Sequence, residues 1–210
     1  IVSGRAKSDL EQWFGKIPNL WLAAEHGAVM RNPGEKEWTS SHPNVPDNWK
    51  KDVYEVLEHF ADKTPGSYVE EKDFSLVWHY RMSDPEFGEW LANELNSTLD
   101  ELLADTQLRA IQGRKNVEVK LIWANKADVL AQMTHDEPDF DFMMAAGDDT
   151  TDEDLFAKMG PESWTVHIGS ERTVARYRLR DYREVLDLLT SFSEAPGERS
   201  RRRRLTAAAR

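Results

Sequence analysis

An apolar run leads directly into an acidic one in Phe140-Asp141-Phe142-Met143-Met144-Ala145-Ala146-Gly147-Asp148-Asp149-Thr150-Thr151-Asp152-Glu153-Asp154. A short apolar run that is bounded by charged turns is typical of a parallel strand buried on both faces. We therefore predict such a strand from Phe140 to Ala146. Ligands of open α/β sheets bind at the carboxyl ends of the strands, so the acidic residues that follow are the first candidate site.

Helical and strand-like patterns alternate on both sides of this run. The spacing of apolar residues predicts helices over 49–60, 85–105, 126–133 and 182–192, and strands over 20–24, 67–70, 74–80, 114–123 and 165–168. Alternation of this kind favours an α/β protein with a doubly wound parallel sheet. Trp13, Trp49, Trp90 and the helical leucines are predicted to lie in the core.

The length of 210 residues fits either one large domain or two small ones. Pro, Gly, Ser and Asn are frequent over residues 31–48, which marks a boundary. We predict that residues 1–33 and 122–194 form one parallel-sheet core, and that residues 35–121 form an inserted α/β lobe.

The carboxyl-terminal segment, residues 195–210, is basic and carries almost no apolar side chains that could be buried. Disorder is predicted for such a segment, and the alternative is that it binds an acidic partner or the acidic body of the protein itself.

The overall composition excludes several classes of function. The formal net charge is −11, which disfavours a nucleic-acid partner because phosphates are repelled. No apolar run approaches the ~20 residues of a membrane helix, so we expect a soluble protein and no membrane partner. The chain has no cysteine, which removes disulfides, thiolate metal sites and cysteine nucleophiles and fits a cytoplasmic location.

Asp148, Asp149 and Asp152 are candidate metal ligands. Carboxylates at a strand end can hold a hard divalent cation such as Mg²⁺ through oxygen. The alternative is an acidic helix start, in which Asp and Thr cap the helix and complement its dipole. The residues alone leave both interpretations open.

Several motifs, in this order along the chain, resemble those of the trehalose-6-phosphate phosphatases, a family of the haloacid dehalogenase superfamily. They are Ser3-Gly4-Arg5, Ala24-Glu25-His26-Gly27, Gly66-x-x-Val69-Glu70-x-Lys72, His79-Tyr80-Arg81, Val117-Glu118-Val119, Asn125-Lys126 and Gly147-Asp148-Asp149-x-Thr151-Asp152-Glu153-Asp154-x-Phe156. The resemblance implies a Rossmann-like phosphatase core with an inserted α/β cap lobe. It also implies Mg²⁺-dependent hydrolysis of trehalose 6-phosphate through an aspartyl intermediate.

The resemblance implies roles at the phosphate end of the substrate. Asp148 is the foremost magnesium ligand, with Asp149 nearby and Asp152 either ligating or orienting. Ser3 would donate a hydrogen bond to the phosphate, and Lys126 would neutralise its oxygens.

The resemblance also implies residues that bind the sugar. Carboxylates suit sugar hydroxyls as hydrogen-bond acceptors, so Glu70 and Glu118 are assigned to the trehalose moiety. Arg5, Glu25 and His26 are further candidates for substrate binding. His79 and Arg81 are expected to support the cap hairpin instead.

The sequence departs from the family at its first signature, Asp-x-Asp-Gly-Thr, which occurs nowhere in the 210 residues. By resemblance, this run supplies the nucleophile, the acid/base and metal ligands. Asp139-Phe140-Asp141 has the spacing but lacks Gly-Thr and enters a strand instead of following one. We expect that the motif lies upstream of Ile1, that the first core strand is missing, and that the chain alone is inactive.

Three functions are consistent with the sequence. The first is a trehalose-6-phosphate phosphatase, as the carboxyl-terminal part of a polypeptide or complex that includes a synthase. The second is a non-catalytic phosphatase-like module that regulates a synthase, and the third is a related sugar phosphatase.

A smaller departure from the family is Ala127, where the family usually has glycine. The added methyl group raises the question of how closely the chain packs there.

Overall fold

The computed structural model describes residues 1–40, 48–136 and 140–194. The helices are α1 (Lys7–Phe14), α2 (Trp49–Lys63), α3 (Pro85–Leu103), α4 (Lys126–Asp136), α5 (Thr150–Lys158) and α6 (Tyr182–Glu194). The strands are β1 (Leu22–Ala24), β2 (Val29–Arg31), β3 (Thr39–Ser40), β4 (Tyr68–Glu71), β5 (Ser75–His79), β6 (Leu108–Gly113), β7 (Asn116–Leu121), β8 (Met144–Gly147), β9 (Trp164–Ile168) and β10 (Tyr177–Leu179). The predicted α/β class is confirmed.

Three earlier predictions concern residues outside this description: the basic tail 195–210, Asp139, and part of the boundary segment 31–48. None of the described helices combines the length and apolarity that a membrane span requires.

The chain divides into two compact units. The first comprises Ile1–Phe140 and Asp149–Lys158, and the second comprises Asp141–Asp148 and the residues from Met159 onward. These boundaries differ from those of the predicted core (1–33 and 122–194) and lobe (35–121). That division therefore stays a prediction.

The largest sheet of the first unit is antiparallel, with the strand order β4-β5-β7-β6. One face packs on α2 and α3 and forms a core that includes Leu57, Trp78, Leu95 and Val119. Because side chains alternate along a strand, the residues between the apolar ones in β7 lie on the opposite face. Among them are Glu118 and Lys120, so this second face of the sheet is polar.

The register of the sheet places further carboxylates on this polar face. Glu70 in β4 lies opposite Val77 in β5, and Val77 lies opposite Glu118 in β7. Residues directly opposite each other in an antiparallel sheet project on the same side. Glu70 and Glu118 thus share one face, two strands apart.

Helix α3 follows from its sequence. Asp84 accepts hydrogen bonds from the amides of Glu86 and Phe87, and Pro85 occupies the first turn, where its missing N–H costs nothing. The leucines that repeat every four residues are buried as predicted, and they are Leu91, Leu95, Leu99 and Leu103.

A second, small sheet of the first unit has the order β1-β2-β3 and is antiparallel. Val2 adds a parallel bridge to Ala23. Between β1 and β2 the chain makes a single 3-10 turn at Glu25–Gly27, which is buried. This turn belongs to the candidate site.

The second unit contains a parallel sheet with the order β10-β9-β8, together with α6. The prediction that the run at 140–146 is buried on both faces is wrong. The strand begins only at Met144, Ala146 is exposed, and only Gly147 is buried. The reason is that α6 covers the sheet incompletely and has no buried residue of its own.

The prediction of core positions is also wrong for two tryptophans and for the helical leucines Leu102, Leu186 and Leu189, which are exposed. Trp13 is 50% exposed and lies against the guanidinium of Arg5, and Trp90 is 56% exposed and stacks on Phe87. Both lie on the outer faces of their helices, where a large ring can still cover neighbouring side chains. Trp49, in contrast, packs against the main core.

Two leucines of α3 test which face of the helix stabilises the fold. Leu99 is fully buried, whereas Leu102 is 41% exposed. Leu99→Ala should lower the free energy of unfolding by about 2–5 kcal/mol, because it leaves a cavity in the core. Leu102→Ala should cost about 1 kcal/mol or less. Urea denaturation of both variants measures the difference, and equal losses would contradict the packing described above.

Candidate functional site

A buried ion network lies on the polar face of the four-stranded sheet. The Glu118 carboxylate is only 12% exposed, and its Oε2 lies 3.0 Å from Nε2 of His26. Its Oε1 lies 3.5 Å from Nζ of Lys72, and that amine also donates to the carbonyl of Gly4 at 3.0 Å. Four distant segments of the first unit thus meet at one carboxylate.

The network fixes the protonation of its members. Burial alone would raise the pKa of Glu118, but the hydrogen bond and charge of His26 and the charge of Lys72 lower that pKa to about 2. Burial lowers the pKa of His26, and the hydrogen bond and charge of Glu118 act in the opposite direction. Since an ionised carboxylate only accepts, Nε2 of His26 must carry the proton that it donates to Glu118.

The turn that presents His26 is strained. Glu25, His26 and Gly27 have positive φ values of 47°, 60° and 100°, a region that residues other than glycine rarely adopt. A Cβ atom at Gly27 would overlap Cγ2 of Val129, so glycine is required there by space as well. Three such residues in succession persist only where the surrounding structure holds them.

The Glu25 side chain is one of the groups that hold this turn. Its carboxylate is buried and accepts a hydrogen bond of 2.7 Å from the amide of Phe74. Burial raises the pKa of Glu25. Through this hydrogen bond, the Glu25 side chain connects the turn to the β4–β5 hairpin.

Ser3 lies beside the network, but the Arg5 side chain points elsewhere. The Ser3 carbonyl accepts from the His26 amide at 2.9 Å, and a Cβ atom at Gly4 would lie 2.6 Å from the His26 ring. The Arg5 guanidinium instead lies 3.7 Å from the Asp9 carboxylate and over the ring of Trp13.

Glu70 is the second carboxylate on the polar face and is more exposed than Glu118. Its Oε2 lies 2.7 Å from Nε2 of His79, and the His79 ring stacks on Tyr68 with 4.8 Å between ring centroids. His79 therefore links the two strands of the hairpin and orients Glu70. The Arg81 side chain donates to the carbonyl of Arg114 and also braces the sheet.

Lys126 and Asp152 form a second buried ion pair. The Lys126 amine lies 2.7 Å from Oδ1 of Asp152, and the side chains of both are less than one tenth exposed. The other oxygen of Asp152 accepts from the Asp149 amide at 3.1 Å. Ala127 is buried in the first turn of α4, so the chain accommodates its methyl group in a close-packed position.

Asp149 accepts a 2.7 Å hydrogen bond from the Thr150 amide at the start of α5. Together with the Asp152 contact, this gives the acidic segment the role of a helix start. Asp148, which follows β8 in the second unit, is exposed. No group of three acidic or histidine side chains that could hold a metal ion occurs within the described ranges.

Sequence reasoning did not assign two lysines of this region. Lys72 was noted only as part of a motif, and it contacts Glu118 directly. Lys120 is fully buried, and its amine donates to the carbonyl of Ala124 at 2.6 Å. The alternation Val117-Glu118-Val119-Lys120-Leu121 already contained the signal, because it places Lys120 on the same face as Glu118.

Comparison with known proteins gives consistent matches. A family model described as trehalose-phosphatase matches residues 1–182. A Dictyostelium discoideum protein named alpha,alpha-trehalose-phosphate synthase [UDP-forming] B is 39% identical over 198 residues, which covers 92% of this chain and 25% of the relative. The chain thus spans about a quarter of the length of the curated relatives it matches.

Solved structures support the same fold. The trehalose-6-phosphate phosphatase C-terminal domain of C. albicans has a TM-score of 0.83 and 31% identity, and the match covers 89% of this chain and 74% of that one. A haloacid dehalogenase-like hydrolase from Bacteroides thetaiotaomicron shares the fold alone, with 12% identity, a TM-score of 0.64 and coverage of 90% and 85%. The predicted haloacid dehalogenase type of fold is confirmed.

The lowered pKa of Glu118 predicts a pH dependence of stability. The Glu118 carboxyl has a pKa of about 2 in the folded state and ordinarily 4.5. Its contribution to the stability of the fold is therefore present above pH 4.5 and is lost as the pH falls towards 2. The free-energy advantage of the wild type over Glu118→Gln should therefore shrink by on the order of 2 kcal/mol as the pH falls from about 5 to about 2.5.

Urea denaturation at several pH values measures this advantage. Glu101→Gln, which removes an exposed carboxylate from α3, is the matched control for the loss of one negative charge. An advantage that is the same at both ends of the pH range would show that Glu118 is not held ionised by its neighbours.

Proposed function

Because the chain belongs to the trehalose-phosphatase family, we propose that the protein that contains it hydrolyses trehalose 6-phosphate to trehalose and inorganic phosphate. The family match confirms the resemblance that the motifs indicated. The observation that carries the proposal is the buried network of Glu118, His26 and Lys72. It assembles an ionised carboxylate and a cation on the polar face of the sheet, a combination that suits a polyhydroxylated, anionic ligand.

The sugar would bind along this polar face. Glu118 and Glu70 stand two strands apart and would accept hydrogen bonds from hydroxyls of the trehalose moiety. Holding Glu118 ionised matters here, because a carboxylate offers acceptors only, and sugar hydroxyls can then serve as donors. Glu25 and His26 would act by holding Glu118 and the hairpin in place, and Arg5 would contribute from the exposed rim.

The phosphate would be held by Lys126, with a hydrogen bond from the Ser3 hydroxyl. Electrostatic stabilisation by such groups is the main requirement of phosphoryl transfer. Neither group is an in-line carboxylate nucleophile, and neither protonates the leaving sugar oxygen. The 210-residue chain is therefore proposed to bind substrate without turning it over.

The proposed reaction depends on Mg²⁺. Asp148 would be a ligand, with Asp149 next to it in the sequence and Asp152 either ligating or orienting, and water and the substrate phosphate would supply the remaining oxygens. When bound, the metal would neutralise charge that develops on the transferring phosphoryl group.

A synthase domain or subunit is the proposed partner, since a relative that matches over 92% of this chain is named a trehalose-phosphate synthase. A cytoplasmic location is part of the same proposal. The alternative is that the chain acts as a non-catalytic module that regulates such a synthase, for which the absence of an Asp-x-Asp-Gly-Thr run is the specific observation.

The first test compares this chain with a version extended upstream through an Asp-x-Asp-Gly-Thr motif. Phosphate release from trehalose 6-phosphate with saturating Mg²⁺ should be seen only with the extended protein, because only it has a nucleophile. Equal turnover by the short chain would mean that the nucleophile lies between Ile1 and Arg210. An inactive extended protein would favour the regulatory alternative.

The second test addresses the metal in the extended protein. Asp148→Asn should lower kcat by roughly 10²-fold or more, the scale of losing one stabilising group of a transition state. EDTA should abolish activity and Mg²⁺ should restore it. Asp62→Asn, an exposed aspartate of α2, is the control. Activity that survives EDTA, or that Asp148→Asn leaves intact, would remove the metal role.

A further inference from the structure

Lys120 is a buried lysine to which the proposed reaction gives no role. It lies in β7, two residues after Glu118 and on the same face of the sheet. Its amine donates a 2.6 Å hydrogen bond to the carbonyl of Ala124, inside the protein. Burying a lysine costs free energy, and an apolar side chain of similar volume would fill the same space at lower cost.

The accepting carbonyl lies in the turn that joins β7 to α4. The Ala124 amide donates to the carbonyl of Leu121 at 3.1 Å, which closes the turn. The Asn125 side chain then accepts from the Asp128 amide at 2.9 Å and caps α4. Lys126 is the first residue of that helix. The hydrogen bond from Lys120 therefore connects strand β7 to the turn at Ala124, two residues before Lys126.

The Lys120 amine interacts electrostatically with residues at both the sugar end and the phosphate end of the proposed site. The pKa of Lys120 is lowered to about 7, mainly by burial and also by the charges of Arg109 and Lys126, whereas Glu118 and Asp154 act in the opposite direction. Lys120 also contributes to the lowered pKa of His26. The amine thus lies within electrostatic range of both the sugar-side network and the phosphate-side lysine.

We propose that Lys120 is a positioning residue that fixes the distance between the sugar contact Glu118 and the phosphate contact Lys126. The inference rests on the proposed function, because it assumes a ligand in which a sugar and a phosphate are joined. Such a ligand can make both contacts at once only when the distance between Glu118 and Lys126 matches the distance between its sugar and its phosphate. A separate sugar or a free phosphate does not depend on that separation.

The test is to measure dissociation constants by calorimetry for trehalose 6-phosphate, trehalose and inorganic phosphate with the 210-residue chain. Lys120→Met, which keeps the length but removes the donor, should weaken binding of trehalose 6-phosphate by about tenfold or more. Binding of trehalose and of phosphate should each change by less than about threefold. Lys120→Arg, which keeps a charged donor, should recover part of the lost affinity.

Lys115→Met is the matched control. Lys115 is on the same sheet, at the β6–β7 turn, and its amine is paired with Glu89 on the surface. The Lys115→Met substitution should leave the affinities for trehalose 6-phosphate, trehalose and phosphate unchanged. Equal weakening of all three ligands by Lys120→Met, or no weakening of trehalose 6-phosphate, would overturn the positioning role.

A second measurement keeps the inference testable if the proposed function is wrong. Wild-type chain that binds no trehalose 6-phosphate would refute the function but not the role of Lys120. Amide hydrogen exchange then decides: Lys120→Met should speed exchange at Ala124 and Asp128 by about tenfold while leaving β5 unchanged. Unchanged exchange at those two amides would show that Lys120 positions nothing.

Discussion

The charge on Glu118 is the constraint around which the first unit is arranged. A carboxylate this deeply buried costs several kcal/mol of desolvation unless partners compensate it. The partners are His26, 92 residues away in the sequence, and Lys72, which is itself anchored to the carbonyl of Gly4. The amino-terminal segment, the buried turn, the hairpin and β7 must therefore all be in place before the charge is tolerated.

The strained turn at Glu25–Gly27 follows from this constraint. The chain must leave β1, present an imidazole to Glu118 and return as β2 within four residues. Positive φ values achieve this reversal, at a cost of about 1–3 kcal/mol for each non-glycine residue. The hydrogen bond from the Phe74 amide to Glu25 offsets part of that cost, and the missing side chain at Gly4 leaves room for the His26 ring. The backbone strain of the turn is thus a consequence of placing His26 where it can compensate the charge of Glu118.

Much of this could be predicted from the sequence, and the reasons are physical. Long periodic patterns identified α2 and α3, and the alternation over residues 114–123 indicated the strand that contains β7. The short strands β2, β3 and β10 were missed because two or three residues carry no measurable period, and β6 mixes polar and apolar residues without a clear alternation. Trp13 and Trp90 were misplaced because an aromatic side chain at helical spacing does not reveal which face is covered.

The acidic segment shows where sequence reasoning stops. Local spacing cannot separate a helix start from a metal site, because both use Asp and Thr after a strand. Contacts do separate them: one oxygen of Asp152 pairs with Lys126, and the other accepts from the Asp149 amide. An aspartate whose two oxygens are already engaged is better suited to orienting Lys126 than to ligating a cation. Of the two roles that the resemblance left open for Asp152, the geometry favours the orienting one. Within the described ranges the exposed Asp148 carboxylate forms no ion pair, so of the three aspartates it is the one that we propose as a metal ligand.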